Sequence, residues 1–274
     1  MATASRSVTV LGLVLALALT SSACGDRIGL PQGGPTTSED VLARALAREM
    51  PKSVQGLARL DTYVKGEARK ADLLIAARRP DAVQMQVLSP TLDLLAVMNT
   101  DGKRFTSFER GGTECYVGDA CAHNLARIIP IALPPEQFVA ALLGRPPLLD
   151  TTPQTLHWDD ERKLYRIDQG PQDGLWQQVY VQPGTFRFVG TVLHQGATRV
   201  ASIQYDGEVG VDGPPRTLRF KDTRGELDVS VTLREVEVGT TIADDVFAVT
   251  CPEGMRTVDL PCGPVAPRGE SNPP

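Results

Sequence analysis

Along most of the chain, apolar and polar residues alternate with a period of two. Val83, Met85 and Val87 alternate with Gln84 and Gln86, and Leu227, Val229, Val231 and Leu233 alternate with Asp228, Ser230 and Thr232. Trp176, Gln178 and Tyr180 likewise share one face of a single segment. Side chains of an extended strand point alternately to its two faces, so this spacing predicts strands with one wet and one buried face. The alternation begins near Gln55. Turn signals cut it into short runs: Arg79-Pro80-Asp81, Asp101-Gly102, Gln182-Pro183-Gly184, Asp206-Gly207 and Arg224-Gly225. Many short half-buried strands in succession predict a mainly β fold, an antiparallel sheet curled into a barrel or sandwich.

Helical spacing precedes this pattern once and interrupts it once. Thr36-Thr37-Ser38-Glu39 matches a capping box, in which Glu39 returns a bond to the Thr36 backbone. Val41, Leu42, Ala45, Leu46 and Met50 then fall on one face, Arg44, Arg48 and Glu49 fall elsewhere, and Pro51 ends the helix. Between Gly118 and Gly144 come Leu125, Ile128 and Ile129, then Phe138, Ala141 and Leu142 after Pro134-Pro135. Two short helices with so much apolar surface are expected to pack onto the sheet. With no internal repeat, residues 38–262 read as one unit. Residues 263–274 have little to bury and are expected to form a disordered tail.

The first 23 residues have the three parts of an export signal. Arg6 is their only charge, Val8 to Leu19 is apolar, and Thr20-Ser21-Ser22-Ala23 is a run of small residues. Spanning a bilayer takes about 20 apolar residues, so this stretch reads as a signal peptide rather than a membrane span. Ser22-Ala23-Cys24 resembles a bacterial lipobox, although Ser21 stands where that motif usually has Leu. The resemblance implies cleavage before Cys24 and lipidation of its thiol. Gly25, rather than Asp, follows the cysteine, which by the same resemblance favours the outer membrane, facing the periplasm. Residues 24–37, rich in Gly and Pro, are expected to be a flexible tether.

Composition narrows the classes of function. The 274 residues carry a net charge of −5, and losing Arg6 with the signal makes it more negative. That balance argues against nucleic acid and against a polybasic membrane surface, leaving the lipid as the membrane contact. Besides Cys24 there are Cys115, Cys121, Cys251 and Cys262. An even number in an exported chain suggests disulfides, and neither close pair has the CxxC spacing of a zinc site. Three connectivities are possible; the local pairs Cys115–Cys121 and Cys251–Cys262 are the favoured expectation.

Candidate chemistry is sparse. No GxSxG elbow or Gly-rich phosphate loop is present, and His123, His157 and His194 are scattered. His157 and Asp159 could share a strand face as two metal ligands, but no third can be named, so no metal site or cofactor is assigned. Arg78-Arg79 and Asp244-Asp245 read as solvated strand ends. Nothing assembles an acid, a base and an oxyanion donor, and the chain reads as non-enzymatic. The remaining candidate is the apolar inward face, represented by Val83, Met85, Val87, Trp176, Tyr180, Phe138 and Leu142. These residues are expected to line a hydrophobic cavity.

The order of these segments resembles the LolA/LolB-like lipoprotein-localisation superfamily, most closely its LolB-type lipoproteins. The resemblance spans roughly residues 40 to 250. It rests on a tether and helix, the turn at Ser89-Pro90, the stretch PPEQFVAALLG ending at Leu142-Leu143-Gly144, and a closing strand at Phe247 in DDVFAV. It implies a half-open antiparallel β-barrel, a strongly curved sheet covered by short α-helices. It further implies that acyl chains of lipoproteins or lipids are bound in a lidded cavity, during lipoprotein localisation or envelope biogenesis. LolB-type receptors expose a leucine directly after the turn proline. Here Thr91 follows Pro90 and Leu92 comes one place later, so Pro90, Thr91 and Leu92 form the candidate membrane or cargo loop. The alternative is an envelope-assembly lipoprotein with a filled interior that grips a protein partner.

Overall fold

In a computed structural model, residues 29–127, 131–223 and 226–263 are described. Helix α1 (Ser38–Ala47) leads into six strands: β1 (Ser53–Val64), β2 (Glu67–Arg78), β3 (Ala82–Leu88), β4 (Leu94–Thr100), β5 (Arg104–Glu109) and β6 (Glu114–Asp119). Helices α2 (Ala122–Leu125) and α3 (Pro135–Leu142) follow. A second series contains β7 (Pro153–Asp159), β8 (Leu164–Gln172), β9 (Leu175–Val181), β10 (Phe188–Gln195), β11 (Thr198–Asp206), β12 (Thr217–Asp222) and β13 (Leu227–Val238). A 3-10 turn (Asp244–Phe247) and β14 (Arg256–Leu260) complete the described chain.

All fourteen strands form one sheet in the order β14-β6-β5-β4-β3-β2-β1-β13-β12-β11-β10-β9-β8-β7. Two hairpin meanders are therefore joined by pairing the first strand of one, β1, with the last of the other, β13. Each meander grows outward from that junction, so the two edges of the sheet are β14 and β7. The fold is mainly β and its sheet is curved, as expected, but it is an open sheet rather than a half-open barrel, because its two edge strands do not pair. It is also not wholly antiparallel, because β14 runs parallel to β6. Nor do helices cover it. α1 lies against β7 and β8, and α3 against β2 and β3.

Alternation fixes which residues face inward. Ile75, Met85 and Met98 stand side by side on β2, β3 and β4, and Leu60, Val231 and Leu218 do the same on β1, β13 and β12. With Phe105, Leu125, Ile131, Phe138 and Leu142 they form the main buried cluster. A second cluster packs Val41, Leu42 and Ala45 of α1 against Tyr165, Ile167 and Val179. Leu30 packs against that cluster too, and a Cβ on Gly34 would collide with the Tyr165 hydroxyl. The described part of the Gly/Pro-rich tether is therefore laid on the body rather than free.

Several local expectations shift. Thr37, not Thr36, caps α1, its hydroxyl accepting from the Asp40 amide at 3.2 Å, while Glu39 accepts from the Ser38 hydroxyl. Phe247 closes a 3-10 turn rather than a strand and is buried on the outer face of the sheet with Ala76, Ala82 and Ile242. Arg78 and Asp244, read separately as solvated ends, form an ion pair at 2.7 Å. The Arg78 guanidinium also covers the Phe247 ring and donates to the Ile242 carbonyl at 2.6 Å. Ile128, Ile129, Arg224, Gly225 and the tail from residue 264 lie outside the described residues, as does the signal with Cys24.

The disulfides correct the favoured connectivity. Cys115 bonds Cys251 and Cys121 bonds Cys262, with Cα separations of 5.7 and 6.2 Å. Local pairing fails on distance. Cys115 and Cys121 lie six residues apart along and just beyond an extended strand, or roughly 20 Å, whereas a disulfide needs Cα atoms within about 7 Å. In a parallel pair, starts meet starts and ends meet ends. Cys251 precedes β14 and meets the start of β6, and Cys262 follows β14 and meets its end.

Candidate functional site

The inner face of β2 and β3 carries the feature most suggestive of function. Val83 and Met85 are fully buried there, and Val87 is partly buried at the margin of the same cluster. α3 brings Phe138 and Leu142 onto this surface, each 2% exposed. Five of the seven expected cavity residues are thus brought together, packed on one another. Pro135 starts α3 at a position where its missing N–H costs nothing. Gly144 ends it in the left-handed region at φ 97°, where glycine is favoured. The Gly144 amide bonds the Ala141 carbonyl at 3.1 Å and the Arg145 amide bonds Ala140 at 2.8 Å, a two-bond stop that explains the LLG ending. Among the described residues, α3 makes no backbone hydrogen bond to the sheet, so it is held there by side-chain packing.

Trp176 and Tyr180 do not join this surface. Gln177, Val179 and Val181 are buried on one face of β9, so alternation turns Trp176, Gln178 and Tyr180 to the opposite face, where Tyr180 is also buried. There Trp176 stacks on His194, with ring centroids 4.0 Å apart, and Tyr180 lies under the Arg162 guanidinium. Gln177 is buried because it binds a crossing segment: its Oε1 accepts from the Leu149 amide at 3.1 Å and its Nε2 donates to the Pro147 carbonyl at 2.9 Å.

The β3–β4 loop resolves the position of the candidate leucine. Thr91 is tied down inside the turn, its hydroxyl donating to Asp93 at 2.7 Å and its amide donating to the Ser89 hydroxyl at 3.2 Å. Leu92 is the residue that protrudes, 62% exposed and at φ 64°. A left-handed leucine costs roughly 1–2 kcal/mol. Leu95 is also exposed nearby in sequence.

Elsewhere the charged groups mostly pair locally, although several buried polar atoms, among them Asp168 Oδ1 and His194 Nδ1, have no hydrogen-bond partner among the described residues. His157 Nε2 lies 3.3 Å from Asp168, while Asp159 accepts from the Arg162 amide at 3.0 Å. The two expected metal ligands therefore serve different neighbours, and among the described residues no three metal-binding side chains gather. An open groove of about 530 Å³ lies mainly on the outer face, near Asp61, Tyr63, Lys70, Arg219 and Asp228. Its charges compensate each other: Asp61 pairs with Arg59 at 3.3 Å, and Asp228 with Arg219 at 2.5 Å and Lys221 at 3.1 Å. The hydrogen bond from Arg219 leads the groups that hold the Asp228 carboxyl below its ordinary range.

Solved structures of known fold decide the architecture. A LolA superfamily protein from Nitrosomonas europaea superposes with a TM-score of 0.51 at 11% identity, over 78% of this chain and 98% of its own. A DUF1329 family protein from Desulfovibrio piger gives 0.54 at 10% identity, over 76% and 94%. This is a LolA/LolB-like fold. A Vibrio parahaemolyticus domain named for outer membrane lipoprotein sorting agrees, with a TM-score of 0.52 at 8% identity, over 76% of this chain and 94% of that one. No family model matches the sequence, and no curated protein does. At such identities the LolA/LolB-like likeness is one of backbone, so the residues above must carry any functional reading.

Proposed function

We propose that this protein is a lipid-anchored envelope protein of LolB type that binds acyl chains of lipoproteins or lipids on the inner face of its sheet. It would act in outer-membrane lipoprotein localisation or envelope biogenesis, without chemistry. The supporting observation is α3, an apolar plug seated on Val83 and Met85 by side chains alone. Displacing it would uncover a concave apolar surface of the kind acyl chains require. Leu92 in the β3–β4 loop and Leu95 at the start of β4, both exposed, would meet the membrane or the cargo. Cys24 would carry the anchor, where two or three acyl chains give a durable hold at about 0.8 kcal/mol per buried CH₂.

Two measurements test this reading. Native mass spectrometry of the chain from Gly25 onward should find retained acylated ligand, and a fluorescent fatty acid should displace it. Absence of both would refute acyl binding. Labelled palmitate should enter the full chain and be lost in Cys24→Ser; incorporation unchanged by that substitution would remove the anchor.

The filled interior favours a second reading, an envelope-assembly module that grips a protein partner. Phe138 and Met85 are both buried in one cluster, at 2% and 0% exposed. Crosslinks from Leu92 and Leu95 to one envelope protein, with no retained lipid, would select it.

A further inference from the structure

A small cavity of about 40 Å³ lies where the ends of α1 and α3 meet β10 and β11. One side is apolar, from Ala45, Met50, Leu143, Phe188 and Pro215; the other is cationic, from Arg48, Arg145 and Arg187. Two of these cations are already compensated, Arg48 by Asp212 at 3.1 Å and Arg187 by Glu208. Arg145 is different. The helix stop after α3 turns it back toward α1, where its Nη2 donates to the carbonyls of Leu46 at 2.7 Å and Arg48 at 3.3 Å. Among the described residues no carboxylate lies within ion-pairing distance of Arg145, and its Nε is buried without a partner. Glu49 also lines the cavity but is exposed and bonds neither group.

Tyr205 also lines this cavity. The Tyr205 hydroxyl is buried without a partner on a ring that packs against both core clusters. Burial pushes this phenol well above its ordinary range, so it stays protonated and able to donate. Burial, followed by repulsion from Arg79, lowers the affinity of Arg145 for its proton, as expected of a cation lacking an anion. Buried polar groups are normally satisfied by protein, water or a ligand. The cavity has room for two or three waters at roughly 10–15 Å³ each, or for one small oxyanion.

We infer that this cavity is a head-group subsite for the phosphate of a diacyl glycerophospholipid. The inference rests on the acyl-binding reading and narrows its cargo. A phosphodiester offers adjacent oxygens to Arg145 and an acceptor to Tyr205, while the apolar wall faces the glycerol and the start of the chains. The thioether-linked diacylglycerol of a lipoprotein carries no phosphate and would leave Arg145 uncompensated.

Calorimetric titration of the chain from Gly25 onward, which holds every described strand and helix, tests this. The probes are dihexanoyl phosphatidylglycerol, dihexanoylglycerol and inorganic phosphate. The phosphate-bearing lipid should bind at least about tenfold more tightly than dihexanoylglycerol, a difference of roughly 1.4 kcal/mol. Arg145→Gln should bring the two lipids close to parity, Arg145→Lys should keep part of the preference, and Tyr205→Phe should weaken it severalfold. Circular dichroism of Tyr205→Phe, which cuts no existing hydrogen bond, guards against misfolding. Inorganic phosphate that competes with the phospholipid and loses its grip in Arg145→Gln would also support the subsite. Equal binding of both lipids, or a preference indifferent to Arg145 and Tyr205, would overturn it while acyl binding stood. Failure of both lipids to bind would overturn the acyl reading as well.

Discussion

On one side of the β1–β13 junction lie β2 to β6 and β14; on the other lie β7 to β12. The first arm carries an added segment on each face. α3 sits against β2 and β3 on its inner side, and the segment from Gly239 to Thr250 straps its outer side, held by Gln84 bonding the Val246 carbonyl at 2.8 Å and Asn99 bonding that of Phe247 at 2.6 Å. Its edge is shut by β14 and two disulfides. The second arm has α1 within, a face of rings and ion pairs without, and the edge strand β7 open. Asp160 and Glu161 follow that strand, charges of the kind that discourage edge-to-edge pairing. One arm is thus secured by disulfides and a hydrogen-bonded strap, the other by side-chain packing of the N-terminal helix α1 on β7 and β8.

The sharpest way to break this comparison is to remove a disulfide. Each closes a loop of about 140 residues, with sequence separations of 136 and 141. Replacing all four cysteines by serine should cost roughly 5 kcal/mol or more in denaturant unfolding on the chain-entropy model, whereas Cys115→Ser with Cys251→Ser leaves only a loop of about 17 residues through the other bond and should cost roughly 3 kcal/mol. Faster amide exchange should concentrate in β5, β6 and β14; a uniform increase across both arms would dissolve the distinction. Next come the two cores. Phe138→Ala should destabilise by about 3–5 kcal/mol and Ile167→Ala by about 2–4 kcal/mol, each measured by thermal and urea unfolding. Only the first should raise exchange in β2 and β3. Thr37→Ala removes the α1 cap and should cost about 1 kcal/mol, confined to the second arm.

The smallest effect depends on pH. The folded-state Asp228 carboxyl titrates below its ordinary value, chiefly because Arg219 bonds its charged form. Its contribution is therefore present above the ordinary carboxylate range and is lost as pH falls through the depressed value. The urea midpoint should drop on acidification below about pH 4, and Asp228→Asn should flatten part of that drop.

Much of the sheet was legible because turns and alternation are local. The loops at Pro80, Ser89-Pro90, Gly102, Pro183 and Gly207 all fall between consecutive strands. A period of two, however, separates two faces without saying which is inward. On β9 the aromatic set Trp176 and Tyr180 was the natural inward choice, yet Gln177 is buried because a crossing loop offers it a backbone donor and acceptor. The disulfide pairing was hidden for a related reason: it depends on β14 returning parallel to β6, a contact across more than 130 residues. Arg145 and Tyr205 carry no sequence signal, since only their missing partners mark them. The plug helix was readable because Phe138, Ala141 and Leu142 share a face whether or not the sheet is known.

The cross-linked edge also imposes an order of events. A chain made N-terminus first presents Cys115 and Cys121 long before Cys251 and Cys262 exist beside them. Until the last two cysteines arrive, the first pair must wait as thiols or take a wrong partner. Maturation of the first arm is therefore reserved for a completely delivered chain. A product cut short before Cys251 would keep its hairpins but lose both locks, and the free thiols would report the truncation.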